Sequence, residues 1–214
     1  MKDAKKCNQI PSKYDGFPYG DGFVSLTESI LVDAFLDPLC PDSRDSWPPL
    51  KKVIRDYSPH VSLIVHPFPL PYHDNSYLSC RALHIANKLN ASATYPLLES
   101  FFKNQVRYSN AQTHNQSRAS TIDDMANFAV MTVGNSFLPA FKSGFEDQST
   151  DAAARISFKY GCSRGVYGTP FFFVNGFALP DAGSALDYKT WTSVIDPLVK
   201  KQKKKGVEDL LIYL

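Results

Sequence analysis

The segment Phe35–Ile54, "FLDPLCPDSRDSWPPLKKVI", decides how this chain is read. An apolar run closes at Pro38, and Cys40 is followed at once by Pro41. Beyond that point the spacing turns helical, with Leu50, Val53, Ile54 and Tyr57 recurring at intervals of three and four in "SWPPLKKVIRDY". Proline suits the first position of a helix, where its missing N–H has no partner to lose. Cys40 is therefore expected at a helix N-terminus, where exposed amides and the helix dipole favour a thiolate. The carboxylate of Asp42 opposes this with a contribution of similar size. Three residues after Cys40, where a second sulfur would close an internal disulfide, stands Ser43.

Working outward, "SILVDAFLD" before the cysteine is a β-branched and aromatic run of strand length. "HVSLIVHPF" after the helix is a second strand, apolar enough to lie parallel and covered on both faces. Strand, helix and strand make a right-handed βαβ unit, so the fold class is α/β. From about Tyr77 to Ser163 the pattern becomes a series of helices, with Ser120 or Thr121, and Thr150, as candidate helix starts. In "GVYGTPFFFVNGFALPDAG" strand character returns: Phe171–Val174, an Asn175-Gly176 turn, and a returning strand from Phe177 to Leu179. A last helix would turn Tyr188, Trp191, Ile195 and Leu198 to the sheet, with Pro197 taken up by a kink or a fresh first turn. The expected organisation is an extended arm over the surface (1–27), a sheet-containing domain in two pieces (28–76 and 164–200), a helical subdomain inserted between them (77–163), and a basic tail (201–214).

Composition limits the function classes. The 214 residues are 43% hydrophobic, 13% aromatic and 21% charged, as for a globular domain. A net charge of +2, with much of the lysine in "KKQKKKG", implies no broad basic face for nucleic acid. No stretch approaches the ~20 apolar residues of a spanning helix. The start of the chain has no apolar signal region, so it reads as cytoplasmic, or as secretory if a signal was removed; in a secreted protein Asn90 and Asn115 would lie in glycosylation sequons. Cys7, Cys40, Cys80 and Cys162 are too few and too far apart for a disulfide scaffold or a paired-cysteine zinc site. No metal motif, nucleophile elbow or phosphate loop is found. Cys80, amid "YLSCRALHIANKL", reads as a small buried hydrophobe.

"DPLCPDS" on a βαβ unit, followed by a helical insertion and then "GVYGTPFFFVNG", resembles the thioredoxin superfamily and, within it, the DsbA-like branch, over about residues 28 to 200. The resemblance implies a thioredoxin-like fold with a central β-sheet and an inserted helical subdomain, a cis Thr169–Pro170 peptide facing Cys40, and thiol-disulfide chemistry. Ser43 departs from the pattern, because a hydroxyl cannot release a mixed disulfide. What remains is monothiol chemistry on a thiol- or disulfide-containing protein, resolved by an external thiol. Some superfamily members with serine at this place, monothiol glutaredoxins and kappa-type glutathione transferases among them, use glutathione, which makes glutathione the candidate co-substrate, with no bound cofactor.

Cys40 and Ser43 are thus the candidate catalytic residues, with Pro41, Thr169, Pro170, His66 and Tyr167 around the substrate. His66 follows the second strand and either faces Cys40 or is a loop histidine that holds "HPFPLPYH" together. Phe68 and Tyr72, like Tyr167, supply apolar contacts or simply pack. Cys162, eight residues before Pro170, is a structural cysteine unless it reaches Cys40 as a resolving thiol; Cys7 is the weaker candidate. The competing reading is a binding module of the same fold, in which the groove holds a partner and Cys40 is a remnant.

Overall fold

The structure is a computed structural model and describes residues 14–20, 29–180 and 183–211, with side chains to residue 202. Its sheet has five strands in the order β1-β3-β2-β4-β5. They are β1 (Phe17–Pro18), β2 (Ile30–Leu36), β3 (Val61–Pro67), β4 (Phe171–Val174) and β5 (Phe177–Ala178). β2 and β3 run parallel, joined by helix α1 (Pro41–Asp56), and every other pairing is antiparallel. Between β3 and β4 the chain inserts α2 (Ser76–Leu89), α3 (Thr94–Lys103), α4 (Asn110–Thr113), α5 (Arg118–Val133), α6 (Leu138–Gly144) and α7 (Gln148–Ser163). Helix α8 (Tyr188–Leu211) follows the sheet.

The pleat sends alternate side chains to opposite faces, and here both faces are apolar. Val32, Ala34 and Leu36 join Leu63, Val65, Phe172 and Val174 in the larger core, beneath α1, α2 and α8. Phe35, Phe171 and Phe173 face the other way, into a smaller cluster that contains Cys40. The β4–β5 turn takes the left-handed conformation at both residues (Asn175 φ 49°, Gly176 φ 83°), as a two-residue hairpin requires. Asn175 also ties the hairpin to β2: its N–H donates to the Leu31 carbonyl and its Oδ1 accepts from the Leu31 N–H.

Several expectations change. The arm does not simply lie over the surface: Phe17–Pro18 extends the sheet as an edge strand on β3, and Phe17 is buried. Two residues, one of them a proline confined to an edge, show no periodicity to read. α5 is capped by Ser117, whose hydroxyl accepts from the Ser120 N–H, rather than by Ser120 or Thr121. α7 is capped by Asp147, while Thr150 lies inside its first turn and donates to the Gly144 carbonyl. The basic tail is helical at residues 201–211, because α8 continues through them, with Pro197 inside it. α1 likewise continues through Pro48 and Pro49. The carbonyls of Arg44 and Asp45 lose their helical donors there, and both residues are exposed to water. Cys80 is buried in the core of α2, where burial pushes its thiol pKa up.

α7 approaches the sheet closely at one residue. A methyl group at Gly161 would lie 2.5 Å from Phe68 Cδ2 and 3.4 Å from Phe35 Cδ1. Gly161→Ala should therefore destabilise the fold by about 1–3 kcal/mol, the usual penalty for overpacking. A drop in the urea midpoint with unchanged slope is the expected readout.

Candidate functional site

β2 delivers the chain to Asp37, and the next three residues turn it into α1. Cys40 is the N-cap of that helix, with extended backbone (φ −81°, ψ 124°), and Pro41 occupies the first helical position. The Cys40 N–H donates to the Asp37 carbonyl at 3.1 Å. The Cys40 carbonyl accepts from the Arg44 N–H and from Gln105 Nε2, at 3.1 and 2.8 Å. The Sγ–H donates to the Thr169 carbonyl at 3.3 Å, so the helix start and the loop before β4 meet at the sulfur. The Thr169–Pro170 peptide is cis. Cys40 is only 3% exposed, packed with Phe35, Phe68, Leu70, Val166 and Phe171. Thr169 is also buried, and its hydroxyl has no hydrogen-bond partner among the described residues.

Asp37 organises this site, and sequence reasoning passed over it. The residue is fully buried, and its carboxylate draws in two segments of chain. Oδ1 accepts from the Leu39 N–H at 2.8 Å. Oδ2 accepts from the Leu70 N–H (3.0 Å), Ser76 Oγ (2.5 Å) and His73 Nδ1 (3.1 Å). A buried carboxylate is tolerated only with such charge-assisted partners. The signal available in the sequence was a single acid inside the apolar run "FLDPL". Gln105 was also missed; its Nε2 bonds both the Pro38 and Cys40 carbonyls.

The Ser43 hydroxyl accepts from the Asp37 N–H at 3.2 Å, and no hydrogen bond links it to the Cys40 sulfur among the described residues. Cys162 is exposed whereas Cys40 is buried, and both are free thiols. Gly161 packs against Phe68 and Phe35 from α7, and Phe158 and Tyr160 of the same helix stack on those two rings, whereas the adjoining Cys162 side chain is exposed. Cys7 lies outside the described residues. Tyr167 is 78% exposed and stands edge-on to Phe171 beside the Thr169 loop. Tyr72 is likewise exposed; its phenol pKa is raised by partial burial and then by the negative field of Cys40, Asp37 and Asp42. Phe68 is core. Next to Leu70 and His73 opens a cavity of about 600 Å³, walled by Pro71, Tyr77, Arg155 and Phe158.

His66 does not lie in the loop; it is a residue of β3, fully buried and stacked on Phe35. Its Nδ1 bonds Asp15 Oδ2 at 2.9 Å and its Nε2 bonds Asp33 Oδ1 at 3.1 Å. Burial works against the cation, but the hydrogen bonds to Asp15 and Asp33 outweigh it and raise the pKa of His66. Its partners are these carboxylates, not Cys40. Ser157 Oγ donates to Asp15 Oδ1 and so receives its bond from Nε2–H of a neutral His84. Burial pushes the His84 pKa down to about 4, with Asp15 opposing.

The two histidines titrate with opposite sign. The stability from His66 is fully present below about pH 6.5 and is lost as pH rises through its folded pKa. His84 stabilises the fold fully above about pH 6.5, and that contribution is lost as pH falls towards 4, amounting to on the order of 3 kcal/mol. Replacing His84 with Gln, which keeps a donor for Ser157, should flatten the dependence of unfolding free energy on pH between 6.5 and 4 relative to the parent. Parallel curves for the two proteins would contradict this assignment.

With this geometry in view, known proteins give a consistent frame. The thioredoxin family model matches residues 29–197. No curated protein matches the chain. Among solved structures, a candidate protein-disulfide isomerase from Pseudomonas syringae superposes with a TM-score of 0.70 at 18% identity, covering 85% of this chain and 98% of that one. The thiol-disulfide exchange protein α-DsbA2 from Wolbachia pipientis gives 0.64 at 15% identity, covering 86% and 87%. A periplasmic thioredoxin-like protein from Salmonella enterica serovar Typhimurium gives 0.58 at 19% identity, covering 87% and 89%. At these identities the likeness speaks for the fold, a thioredoxin-like sheet with a DsbA-like helical insertion. The chain belongs to the thioredoxin family.

Proposed function

We propose that the protein carries out thiol-disulfide exchange through one sulfur, Cys40. The observation that carries this reading is the placement of Cys40 Sγ, at the N-cap of α1 and hydrogen-bonded to the carbonyl of Thr169. Cys40 loses its proton to water, and the thiolate attacks a substrate disulfide R–S–S–R′. A Cys40–S–S–R bond forms, the substrate S–S bond breaks, and R′–S⁻ leaves with the electron pair. Ser43 cannot form a second S–S bond, and Cys162 is an exposed free thiol with no bond to the buried Cys40, so we assign completion of the cycle to an external thiol. Glutathione is the proposed co-substrate: its thiolate attacks the R sulfur, forms glutathione–S–S–R and returns the Cys40 thiolate. A disulfide-containing protein is the proposed substrate, with Tyr72, Tyr167 and the unpartnered Thr169 hydroxyl as groups to receive it. We infer an extracytoplasmic setting, supported by the periplasmic Salmonella protein of the same fold. Among the described residues no helix is long and apolar enough to cross a membrane.

The second reading, a partner-binding module with a silent cysteine, is favoured by the low exposure of Cys40, since a substrate must displace the Thr169 carbonyl to reach the sulfur. Turnover of bis(2-hydroxyethyl) disulfide by glutathione separates the two. Catalysis should be lost in Cys40→Ser and retained in Cys162→Ser. In Ser43→Cys, a preformed adduct on Cys40 should release without added glutathione, whereas the parent adduct persists. An unchanged rate in Cys40→Ser would leave only the binding module.

A further inference from the structure

A second cleft, separate from the cavity beside His73, lies between α1 and α3. Arg44, Trp47 and Lys51 recur at helical spacing on one face of α1, and Glu99, Phe102 and Lys103 do so on α3. Trp47 and Phe102 are buried and form an apolar floor. Trp47 is fixed there by stacking on Tyr95, with ring planes 4° apart. Around the rim stand three cations and one carboxylate. Glu99 Oε1 is already engaged by Lys51 Nζ (2.6 Å) and Trp47 Nε1 (2.9 Å). Among the described residues, Arg44 commits only its Nε, to Asp45, and Lys103 meets Glu99 only through longer-range attraction. Neither Asp42 nor Asp45 lines the cleft. The rim therefore holds positive charge in excess of what its own carboxylate neutralises.

We propose that this cleft receives an acidic side chain of the polypeptide whose cysteine is joined to Cys40. The cleft encloses about 250 Å³, below the usual range for a whole small molecule and suited to one side chain. Its floor takes the methylene groups, and Arg44 and Lys103 take the carboxylate. The Arg44 N–H bonds the Cys40 carbonyl, so the cleft begins one helical turn from the sulfur. At about 1.5 Å per helical residue and about 3.3 Å per extended one, a bound chain spans that distance in roughly two to five residues. The inference rests on Cys40 exchange and deepens it: the preferred substrate cysteine has an acidic neighbour at that spacing.

The test uses synthetic peptides with one cysteine, blocked as a mixed disulfide with 2-mercaptoethanol, that differ only in carrying Glu or Gln two to five residues to either side. At one position Cys40 should capture the Glu peptide about 3–10-fold faster than its Gln partner, and 1 M salt should erase the difference. Lys103→Glu should abolish or invert that preference while leaving the rate with uncharged bis(2-hydroxyethyl) disulfide unchanged. Equal rates for Glu and Gln at every position, or a preference that survives Lys103→Glu, would overturn the proposal. If Cys40 reacts with none of these disulfides, it is the exchange reading that fails. The cleft is then judged by equilibrium binding of the same Glu and Gln peptides to the Cys40→Ser protein, followed by tryptophan fluorescence. Tighter binding of a Glu peptide, lost in Lys103→Glu, supports the cleft, and equal binding overturns it.

Discussion

The site depends on a single buried charge. Asp37 directly follows β2, and its carboxylate gathers the Leu39 amide before the cysteine and the Leu70 amide after β3. It also gathers His73 and the Ser76 hydroxyl at the start of α2. An isolated buried carboxylate would be untenable, so these donors must be present together for the fold to close. The same residue fixes the turn into α1 by its backbone: its carbonyl takes the Cys40 N–H, and its N–H reaches Ser43. The position of the sulfur is thus set by an anion that never touches it. Replacing a second cysteine by Ser43 fits this arrangement, because the hydroxyl helps to hold the turn.

A second polar cluster lies on the same face of the sheet, on the side of α7. Asp15, His66, Asp33, Ser157 and His84 form a continuous hydrogen-bonded set that joins the N-terminal segment, two strands and two inserted helices. Its two histidines shift in opposite directions for a physical reason: His66 lies between two carboxylates, whereas His84 packs against Phe17 and, among the described residues, hydrogen-bonds only the Ser157 hydroxyl. The cluster explains why a two-residue strand such as β1 holds its place at the edge of the sheet.

What was legible in the chain follows from the range of each interaction. β2, α1 and β3 show their character within a few residues, as do the Cys40-Pro41 helix start and the Asn175-Gly176 turn. The thioredoxin-like fold followed from their order. The partners of His66 could not be read in this way, because Asp33 and Asp15 lie 33 and 51 residues away in sequence. Asp37 meets its partners Leu70, His73 and Ser76 across 33 to 39 residues, and Gln105 reaches Cys40 across 65. The cap of α5 failed for a local reason: Ser117 and Ser120 both suit an N-cap, and only the direction of the hydroxyl chooses between them. Cys162 was near enough in sequence to invite a role, but its exposure against the burial of Cys40 depends on how α7 packs on Phe68 and Phe35, which sequence spacing does not show.

The central claim is that position, not exposure, makes Cys40 the reacting sulfur. Folded protein incubated with glutathione disulfide, sampled over time and mapped by peptide mass spectrometry, puts Cys40 in direct competition with the exposed Cys162. The account predicts that Cys40 acquires glutathione faster than Cys162 despite being 3% exposed. Modification of Cys162 alone, with Cys40 reacting only after denaturation, would contradict it.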